Sequence, residues 1–281
     1  MDDRSVSGKT VLLTGAGRGL GFAMAEGLAA AGANVAMLGT DADVLRDAVA
    51  RVESAHRPGC AIAVVADVTD EERAREAIEE TVLRYGAIDV LINNAAIGPQ
   101  AAATDYIGDP PKFWQLDGAL WTRVMTVNTF GPQLMAQFIV PDMLNRGWGR
   151  IINVTTSLDT MYSITGGAYG PSKAALEANT VIMARDLEGS GVSANILVPG
   201  GLADTRIVPP SLHASRAALI RPEVMRAPAV WLSSEASNGI NGMRFIAARW
   251  DPELPLAERI EHAGAPAAWP QLGSQSIHPG D

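Results

Sequence analysis

The feature that most constrains the fold is a regular alternation of short apolar runs with longer segments whose apolar residues recur at helical spacing. The short runs are continuously apolar, so a strand built from one of them has no polar face for solvent. Such strands belong to a parallel sheet that helices cover on both sides. The predicted strands span residues 10–15, 34–39, 61–68, 89–96, 150–156, 193–200 and 244–248. The sequence therefore predicts one doubly wound α/β domain with a mostly parallel, seven-stranded sheet.

Composition and charge narrow the class of protein and its partners. The 281-residue chain is 47% hydrophobic and 19% charged, as expected of a globular domain with a substantial core. A net charge of −9 disfavours a nucleic-acid binder, although it leaves room for a local basic pocket that holds one phosphate. The single cysteine, Cys60, excludes an intrachain disulfide framework and suits a reducing compartment.

Targeting and metal-binding signals are also missing from the sequence. The opening stretch MDDRSVSGKT holds no apolar run of the signal-peptide kind, and the longest apolar stretches are strand-sized. We therefore expect a cytoplasmic protein with no membrane and no nucleic acid among its partners. The 4 histidines and 1 cysteine show no metal-binding spacing, so no metal site is predicted.

A glycine-rich turn connects the first predicted strand with the first predicted helix. Its glycines, Gly15, Gly19 and Gly21, follow a GxxxGxG spacing. Glycines at such a turn allow the backbone to approach a pyrophosphate at the helix N-terminus. A glycine triplet also serves ordinary turns, but between a strand and a helix near the start of an alternating chain it predicts a nucleotide site.

A tyrosine and a lysine, Tyr169 and Lys173, lie four residues apart in the stretch AYGPSKAALE. One helical turn separates them, so a helix through this stretch places both on one face. Pro171 fits only if the helix is just beginning there. An isolated YxxxK pattern usually marks an amphipathic helix with a solvated lysine, so its meaning depends on the rest of the chain. Three consecutive hydroxyl residues precede the pair: Thr155, Thr156 and Ser157.

Several motifs occur in the order found in the short-chain dehydrogenase/reductase family. They are TGAGRGLG (14–21), ADV (66–68), NNAA (93–96), VNTFG (127–131), YGPSK (169–173) and PGGLADT (199–205). Each is modest evidence alone, but the ordered set resembles the main GxxxGxG and YxxxK type of this family over residues 8 to about 245. The resemblance implies a Rossmann-like fold and an NAD(P)-dependent oxidoreductase that interconverts a small-molecule secondary alcohol and a ketone.

The resemblance also implies roles for individual residues. Tyr169 is expected to be the general acid/base at the substrate oxygen, and Lys173 to lower its pKa while binding the nicotinamide ribose. Asn128 is expected to hold a water that links Lys173 to solvent. The family's third catalytic hydroxyl lies thirteen residues before the tyrosine, at Thr156, and Ser157 is the alternative. The expected substrate contacts are Ser157, Leu158, Tyr162 and Leu202.

The choice between NADP and NAD depends on the end of the second strand. An acidic residue there would bind the ribose diol of NAD, but the position is Gly39. Arg18 and Thr40 instead offer partners to a 2′-phosphate, and Asp41 is most simply a helix N-cap. NADP is therefore the predicted cofactor, with NAD as the open alternative. The expected cofactor contacts are Gly15, Arg18, Gly19, Leu20, Gly21, Thr40, Asp67, Val68, Asn94, Ala95, Tyr169, Lys173, Pro199, Gly200 and Thr205.

Two segments depart from the usual length or ending of the family, and a third segment is where the family carries its substrate lid. The main domain, residues 1–250, carries an insertion at about 99–121 and a substrate lid at about 202–226, and a proline-rich arm follows at 251–281. The residues expected around the substrate are mostly apolar, which favours an apolar cyclic or aromatic substrate. The helices around Asn128 and Lys173 are apolar on more than one side, as in a homodimer or homotetramer. The arm is expected to dock on its own subunit or on a neighbour.

Two other functions are compatible with this scaffold. A dehydratase or epimerase would usually show a GxxGxxG spacing, unlike the GxxxGxG of this chain. A non-catalytic dinucleotide sensor or scaffold would be expected to lose the tyrosine or the lysine, and both are present. Alcohol–ketone oxidoreduction is therefore the leading hypothesis.

Overall fold

The computed structural model describes residues 6–164 and 167–273, which form a sheet of eight strands. The strands are β1 (Thr10–Thr14), β2 (Asn34–Gly39), β3 (Ala61–Val65), β4 (Val90–Asn93), β5 (Gly149–Val154), β6 (Val192–Val198), β7 (Met243–Ile246) and β8 (Gly264–Pro266). Their order across the sheet is β3-β2-β1-β4-β5-β6-β7-β8. The pairings from β3 to β7 are parallel, and β8 runs antiparallel to β7. The predicted doubly wound α/β fold is confirmed.

Helices cover both faces of the sheet. They are α1 (Gly19–Ala30), α2 (Ala42–Ala55), α3 (Glu71–Tyr85), α4 (Gly118–Met125), α5 (Gly131–Arg146), α6 (Leu158–Met161), α7 (Tyr169–Asp186), α8 (Arg226–Leu232) and α9 (Leu256–Ala263). In β1, Val11 and Leu13 pack in one apolar cluster with α1, α2 and α8, whereas Leu12 packs in another with α3 and α5. Successive side chains of a strand point to opposite faces, so continuous apolar strands are buried on both sides.

Short polar residues and glycines set the helix boundaries. Asp41 accepts a hydrogen bond from the Val44 N–H at 3.2 Å at the start of α2, which confirms its predicted N-cap role. Asp70 does the same for α3. Gly147 ends α5 with a φ of 69°, a left-handed conformation that glycine adopts without strain.

A wider turn joins α4 to α5. Residues Thr126–Phe130 form a π-helix, in which the Gly131 N–H bonds to the Thr126 carbonyl five residues back. Single π-turns inside α-helices are frequent at functional sites. This turn contains Asn128, whose side chain is completely buried.

The described part of the C-terminal arm docks on its own subunit. β8 pairs with β7, and the Ala267 N–H donates to the Gly242 carbonyl at 2.9 Å. Pro266 is tolerated because β8 is an edge strand. Sequence analysis did not predict β8, because its three residues lie in a proline-rich segment without strand periodicity. Residues 274–281 of the arm lie outside the described residues.

Two negative observations concern the described residues alone. Their helices include none with the length and apolarity that crossing a membrane requires. Their His, Cys, Asp and Glu side chains form no group of three or more that is placed to hold a metal ion.

Candidate active site

A cavity of about 580 Å³ lies along the carboxyl-terminal ends of the parallel strands. It extends from the glycine turn after β1 to Tyr169 and Lys173 on α7. It passes the point where the strand order reverses, since β1 has β2 on one side and β4 on the other. Doubly wound sheets bind ligands at such a point, because the neighbouring loops diverge there and leave a crevice.

The glycine turn leaves no room for side chains. Gly15 has a φ of 66°, and a Cβ atom on it would lie 2.8 Å from the Cα of Ala95. A Cβ on Gly21 would lie 2.2 Å from the Gly15 carbonyl oxygen. The Asn94 amide fastens the turn by donating to the carbonyls of Thr14 and Gly15 at 3.0 and 3.1 Å. This bare backbone at the start of α1 fits a pyrophosphate, whose oxygens can reach the main-chain N–H groups directly.

Two arginine–aspartate pairs line the cavity near its glycine turn. The Arg18 Nη2 lies 3.6 Å from the Asp41 carboxylate, and both side chains are about half exposed. The Arg123 Nη2 donates to the Asp67 carboxylate at 2.5 Å. Burial raises the pKa of Asp67, but the hydrogen bonds it receives, with that of Arg123 foremost, outweigh burial and hold this pKa below its usual value.

Most of the residues predicted to contact the cofactor line the cavity. They are Gly15, Arg18, Gly19, Leu20, Gly21, Thr40, Asp67, Val68, Asn94, Ala95, Tyr169, Lys173, Pro199 and Thr205. Gly200 is absent from the lining as described, and its neighbour Gly201 is present.

The hydroxyl groups at the end of β5 divide between two partners. The Thr156 hydroxyl lies next to the phenol of Tyr169 in the cavity and acts to lower the pKa of that phenol. The Ser157 hydroxyl instead faces that of Thr160, with 2.7 Å between the two oxygens. Of the two candidate hydroxyls, that of Thr156 is therefore the one next to the tyrosine.

Burial shifts both titrating groups of this site toward their neutral forms. It raises the pKa of Tyr169 to about 12, and the Thr156 hydroxyl opposes this only in part. It lowers the pKa of Lys173 to about 8. The Lys173 Nζ donates to the Val154 carbonyl at 2.8 Å and lies 5.9 Å from the centre of the Tyr169 ring. Burial is thus the largest influence on the pKa of Tyr169, and the phenol keeps its proton at neutral pH.

The Asn128 side chain makes hydrogen bonds to other residues of the protein. Its Oδ1 accepts from the Ile97 N–H at 2.8 Å, and its Nδ2 donates to the Ile97 carbonyl at 3.0 Å and to the Ser172 hydroxyl at 2.9 Å. The amide therefore ties the loop after β4 to α7. Both amide N–H groups are engaged, so a water held by Asn128 would have to donate to one of its carbonyl oxygens.

The predicted substrate contacts lie in different places. Leu202 lines the cavity, whereas Ser157 and Leu158 are absent from its lining as described. Tyr162 is 76% exposed, and its phenol donates to Asp159 at 2.8 Å. The physical reason is α6, which begins directly after Ser157 and carries Tyr162 out to solvent.

The insertion and the lid complete the wall of the cavity. Gln100, Tyr106 and Ile107 come from the insertion, and Leu202 and Ile207 from the lid. The aromatic pair Phe113 and Trp114 in the same insertion is 80% and 71% exposed. Tyr106 is therefore the insertion aromatic that contributes to the wall, and the exposed pair does not. Within the lid, Asp204 accepts hydrogen bonds from Arg216 and Arg221 at 2.5 and 3.2 Å.

Sequence analysis missed two buried charges behind the catalytic hydroxyls. Glu177 is fully buried and pairs with Arg244 at 2.9 Å. Glu177 continues the spacing of Tyr169 and Lys173 by another four residues, so the pattern YxxxKxxxE was a readable signal. Arg244 gave no signal, because a single arginine in a short strand usually faces solvent.

Comparison with known proteins identifies the family. The family model for short chain dehydrogenase matches residues 9–215. The chain belongs to the short-chain dehydrogenase/reductase family and is an NAD(P)-dependent oxidoreductase acting on CH–OH groups.

Relatives and solved structures show how far the similarity extends. A cis-4-hydroxycyclohexanecarboxylate dehydrogenase of Sinomonas cyclohexanicum is 31% identical over 245 residues, which cover 83% of this chain and 92% of that protein. A short chain dehydrogenase of Pseudocercospora fijiensis is 30% identical over 197 residues, 70% of this chain, and the match spans only 60% of that protein. A crystal structure from Beutenbergia cavernae, provisionally assigned as an NAD(P)-dependent gluconate 5-dehydrogenase, contains NADP at low occupancy. It has a TM-score of 0.76 at 30% identity and covers 87% of this chain and 97% of that one.

Proposed function

We propose that this protein interconverts a secondary alcohol and a ketone with NADP(H), with Tyr169 as general acid/base. The observation that carries the proposal is that Thr156, Tyr169 and Lys173 line the same cavity as the glycine turn, with the Thr156 hydroxyl next to the Tyr169 phenol. Two adjacent hydroxyls can both donate to one carbonyl oxygen, where negative charge develops as the carbon is reduced.

The protein handles the proton of the reaction. A nicotinamide cofactor bound in this cavity would supply the hydride for carbonyl reduction and would take it up in alcohol oxidation. Tyr169 donates its phenolic proton to the carbonyl oxygen, while Thr156 donates a hydrogen bond to the same oxygen. The Lys173 ammonium stabilises the phenolate that remains, and a carbonyl oxygen of Asn128 holds the water through which the proton returns from solvent. In alcohol oxidation the phenolate accepts the proton instead.

Support for NADP comes from the groups around the end of β2. Gly39 offers no carboxylate to a ribose diol, and Arg18 and Thr40 line the cavity beside it. The Arg18–Asp41 pair is long, at 3.6 Å, and half exposed, so it holds the guanidinium weakly. Arg18 can therefore turn to a 2′-phosphate at little cost. The bound NADP of the Beutenbergia cavernae structure agrees with this choice.

The wall of the cavity supports a cyclic, mostly apolar substrate. Aliphatic side chains from three loops line the cavity: Ile97, Ile107, Leu202 and Ile207. Tyr106 adds a buried ring. Such a wall binds a compact apolar ring by removing its surface from water. The Sinomonas cyclohexanicum relative carries the name of a ring alcohol of this kind.

The test is a panel of carbonyl compounds with each cofactor. Oxidation of NADPH and NADH would be followed by absorbance with cyclohexanone, 4-oxocyclohexanecarboxylate, acetoacetate and 5-ketogluconate, and Tyr169→Phe would serve as the blank. The expected result is faster turnover of a cyclic ketone with NADPH. Turnover of the open-chain acids alone would contradict the substrate class, preference for NADH would contradict the cofactor, and equal rates in the blank would contradict the mechanism.

The proposal includes a homodimer or homotetramer. Apolar side chains on the turn before α5, on α5 and on α7 are 47%, 44% and 57% exposed, at Phe130, Leu144 and Ile182 respectively. Burial of such side chains against a second copy would remove them from water. Ile182→Glu should lower the molecular mass measured by light scattering, and an unchanged mass would place any interface elsewhere.

A further inference from the structure

Two buried charges hold the chain where it leaves β5. The Glu177 carboxylate accepts a hydrogen bond from the Thr155 hydroxyl at 2.9 Å. The Arg244 guanidinium donates from Nη2 to the Thr156 carbonyl at 2.9 Å and from Nε to Glu177 at 2.9 Å. The pair therefore binds two consecutive residues, Thr155 through its side chain and Thr156 through its main chain.

Stability is a weak explanation for this pair. The side chains of Glu177 and Arg244 are 0% and 8% exposed. Removing two charges from water costs several kcal/mol per ion, roughly, and well-packed apolar residues often serve stability as well or better. What apolar residues cannot provide is a set of directional bonds that fixes a main-chain position.

The same face of α7 carries the catalytic pair. Tyr169, Lys173 and Glu177 follow one another at intervals of four residues. Their side chains meet three consecutive residues at the end of β5: Tyr169 meets the hydroxyl of Thr156, Lys173 the carbonyl of Val154, and Glu177 the hydroxyl of Thr155. This row sets the position of α7 relative to the strand end.

The C-terminal arm is fastened to the same carboxylate. The Ala268 N–H donates to the Glu177 Oε1 at 3.2 Å. Ala268 has a φ of 60°, a left-handed conformation that an alanine adopts only at a cost. The residue of the arm that makes this hydrogen bond is therefore also one with a strained backbone.

We propose that the Glu177–Arg244 pair positions the Thr156 hydroxyl on Tyr169 and couples that position to the arm through Ala268. The inference rests on the catalytic role proposed for Thr156. Glu177 and Arg244 are absent from the described lining of the cavity, so they act through Thr156 and are positioning residues.

Arg244→Lys tests the positioning role. Lysine keeps the charge, but one ammonium cannot reproduce the fork that serves both Glu177 and the Thr156 carbonyl. We expect kcat to fall about 10-fold, since small displacements of a catalytic group are costly, with KM and the cofactor Kd within about 2-fold of wild type. The substrate is the ketone of the panel above that is turned over fastest. In a Thr156→Ala background the same substitution should cause no further loss of kcat.

Arg150→Lys is the matched control. Arg150 is a buried arginine near the opposite end of β5, and it donates to the Gly149 carbonyl at 2.8 Å and to Ser237 at 3.2 Å. Its replacement should lower the free energy of unfolding to a similar extent and leave kcat unchanged. An equal loss of kcat in both variants would show a general effect of stability and overturn the positioning role.

Glu177→Gln gives a readout independent of turnover, and it replaces Arg244→Lys if that variant does not fold. Hydrogen exchange of the Ala268 amide should become at least about 10-fold faster, because a neutral acceptor binds it less strongly. Unchanged exchange would overturn the coupling to the arm.

The role of Thr156 and the positioning inference can fail independently of each other. If Thr156→Ala keeps wild-type turnover, the proposed role of Thr156 fails. If Thr156→Ala is slow but Arg244→Lys adds its full loss in that background, only the positioning inference fails.

Discussion

The two ends of the cavity are built by opposite means. At the glycine turn, Gly15 and Gly21 work by having no side chain, and an added methyl group would collide with main-chain atoms. At the catalytic end, buried polar side chains such as Lys173 and Asn128 work by the bonds they make. The first end is damaged by an added atom, and the second by the loss of a partner, because an unpaired buried polar group is costly. Cofactor affinity and turnover should therefore respond to different substitutions.

The strands that support the two ends of the cavity also differ in how they pack. Beneath the glycine turn, β1 and β2 pack through apolar side chains. Beneath the catalytic end, amides run from one strand to the next and on to α7. Asn93 donates to Asn153 at 2.9 Å, and Asn153 donates to Thr180 at 2.8 Å. Such a network holds a unique arrangement as long as each of its groups has a partner.

Tyr169→Phe should separate the two ends most strongly. Loss of the acid/base should lower kcat about 100-fold or more, while the Kd for the cofactor stays near wild type. Steady-state kinetics and calorimetric titration measure the two quantities. Tyr85→Phe is the control, because burial also raises the pKa of that tyrosine to about 12, yet it lies away from the cavity. Near-normal turnover in Tyr169→Phe would refute the assigned mechanism.

Thr156→Ala should follow, with a loss of about 100-fold in kcat, the usual effect of removing one donor to a developing oxyanion. Ser157→Ala should change kcat by less than about 5-fold, because its hydroxyl bonds Thr160. The same kinetic assay compares the two variants. The reverse ranking would move the catalytic hydrogen bond to Ser157.

Gly21→Ala should damage the other end. The added Cβ must displace the Gly15 carbonyl, so we expect a cost of about 2 kcal/mol, equivalent to about 30-fold weaker cofactor binding, with kcat at saturation little changed. Gly118→Ala is the control, since a Cβ at that helix start meets no atom within 4 Å. A large loss of kcat at saturation with unchanged affinity would break the division between the two ends.

Lys173 should also leave a mark on stability as a function of pH. Its pKa is about 8 in the folded protein and 10.5 as the unperturbed value, so the unfolded chain binds more protons between these pH values. The unfolding free energy of the wild type should therefore rise with pH across this window, relative to Lys173→Met, by at most about 1.4 kcal/mol per pH unit. Urea unfolding at several pH values measures the difference. Parallel curves for the two proteins would show that folding does not lower the pKa of Lys173.

Arg18→Ala should have the smallest effect and the most selective one. We expect about 10-fold weaker binding of NADP, which is the loss of one exposed charge contact to a phosphate, and unchanged binding of NAD. Titration with both cofactors tests this. Equal losses would show that Arg18 contacts a group common to the two, and a wild-type preference for NAD would remove the basis for the NADP assignment.

Local sequence patterns predicted the parallel strands and the segments that carry the site. Continuous apolar runs predicted the parallel strands, and the glycine spacing and the interval from Tyr169 to Lys173 predicted which loops and which helix face carry the site. These features depend on residues close together in the chain, whose geometry follows from strand and helix periodicity. They need no knowledge of what packs against them.

Other features were decided by tertiary packing. Whether Thr156 or Ser157 meets Tyr169 depends on how the chain turns into α6, and a spacing argument alone left both open. The bond between Glu177 and Arg244 joins residues 67 positions apart. Buried polar groups pair across such distances only when the assembled sheet brings their atoms within about 3 Å, so the sequence can suggest the partners but packing alone determines the pair.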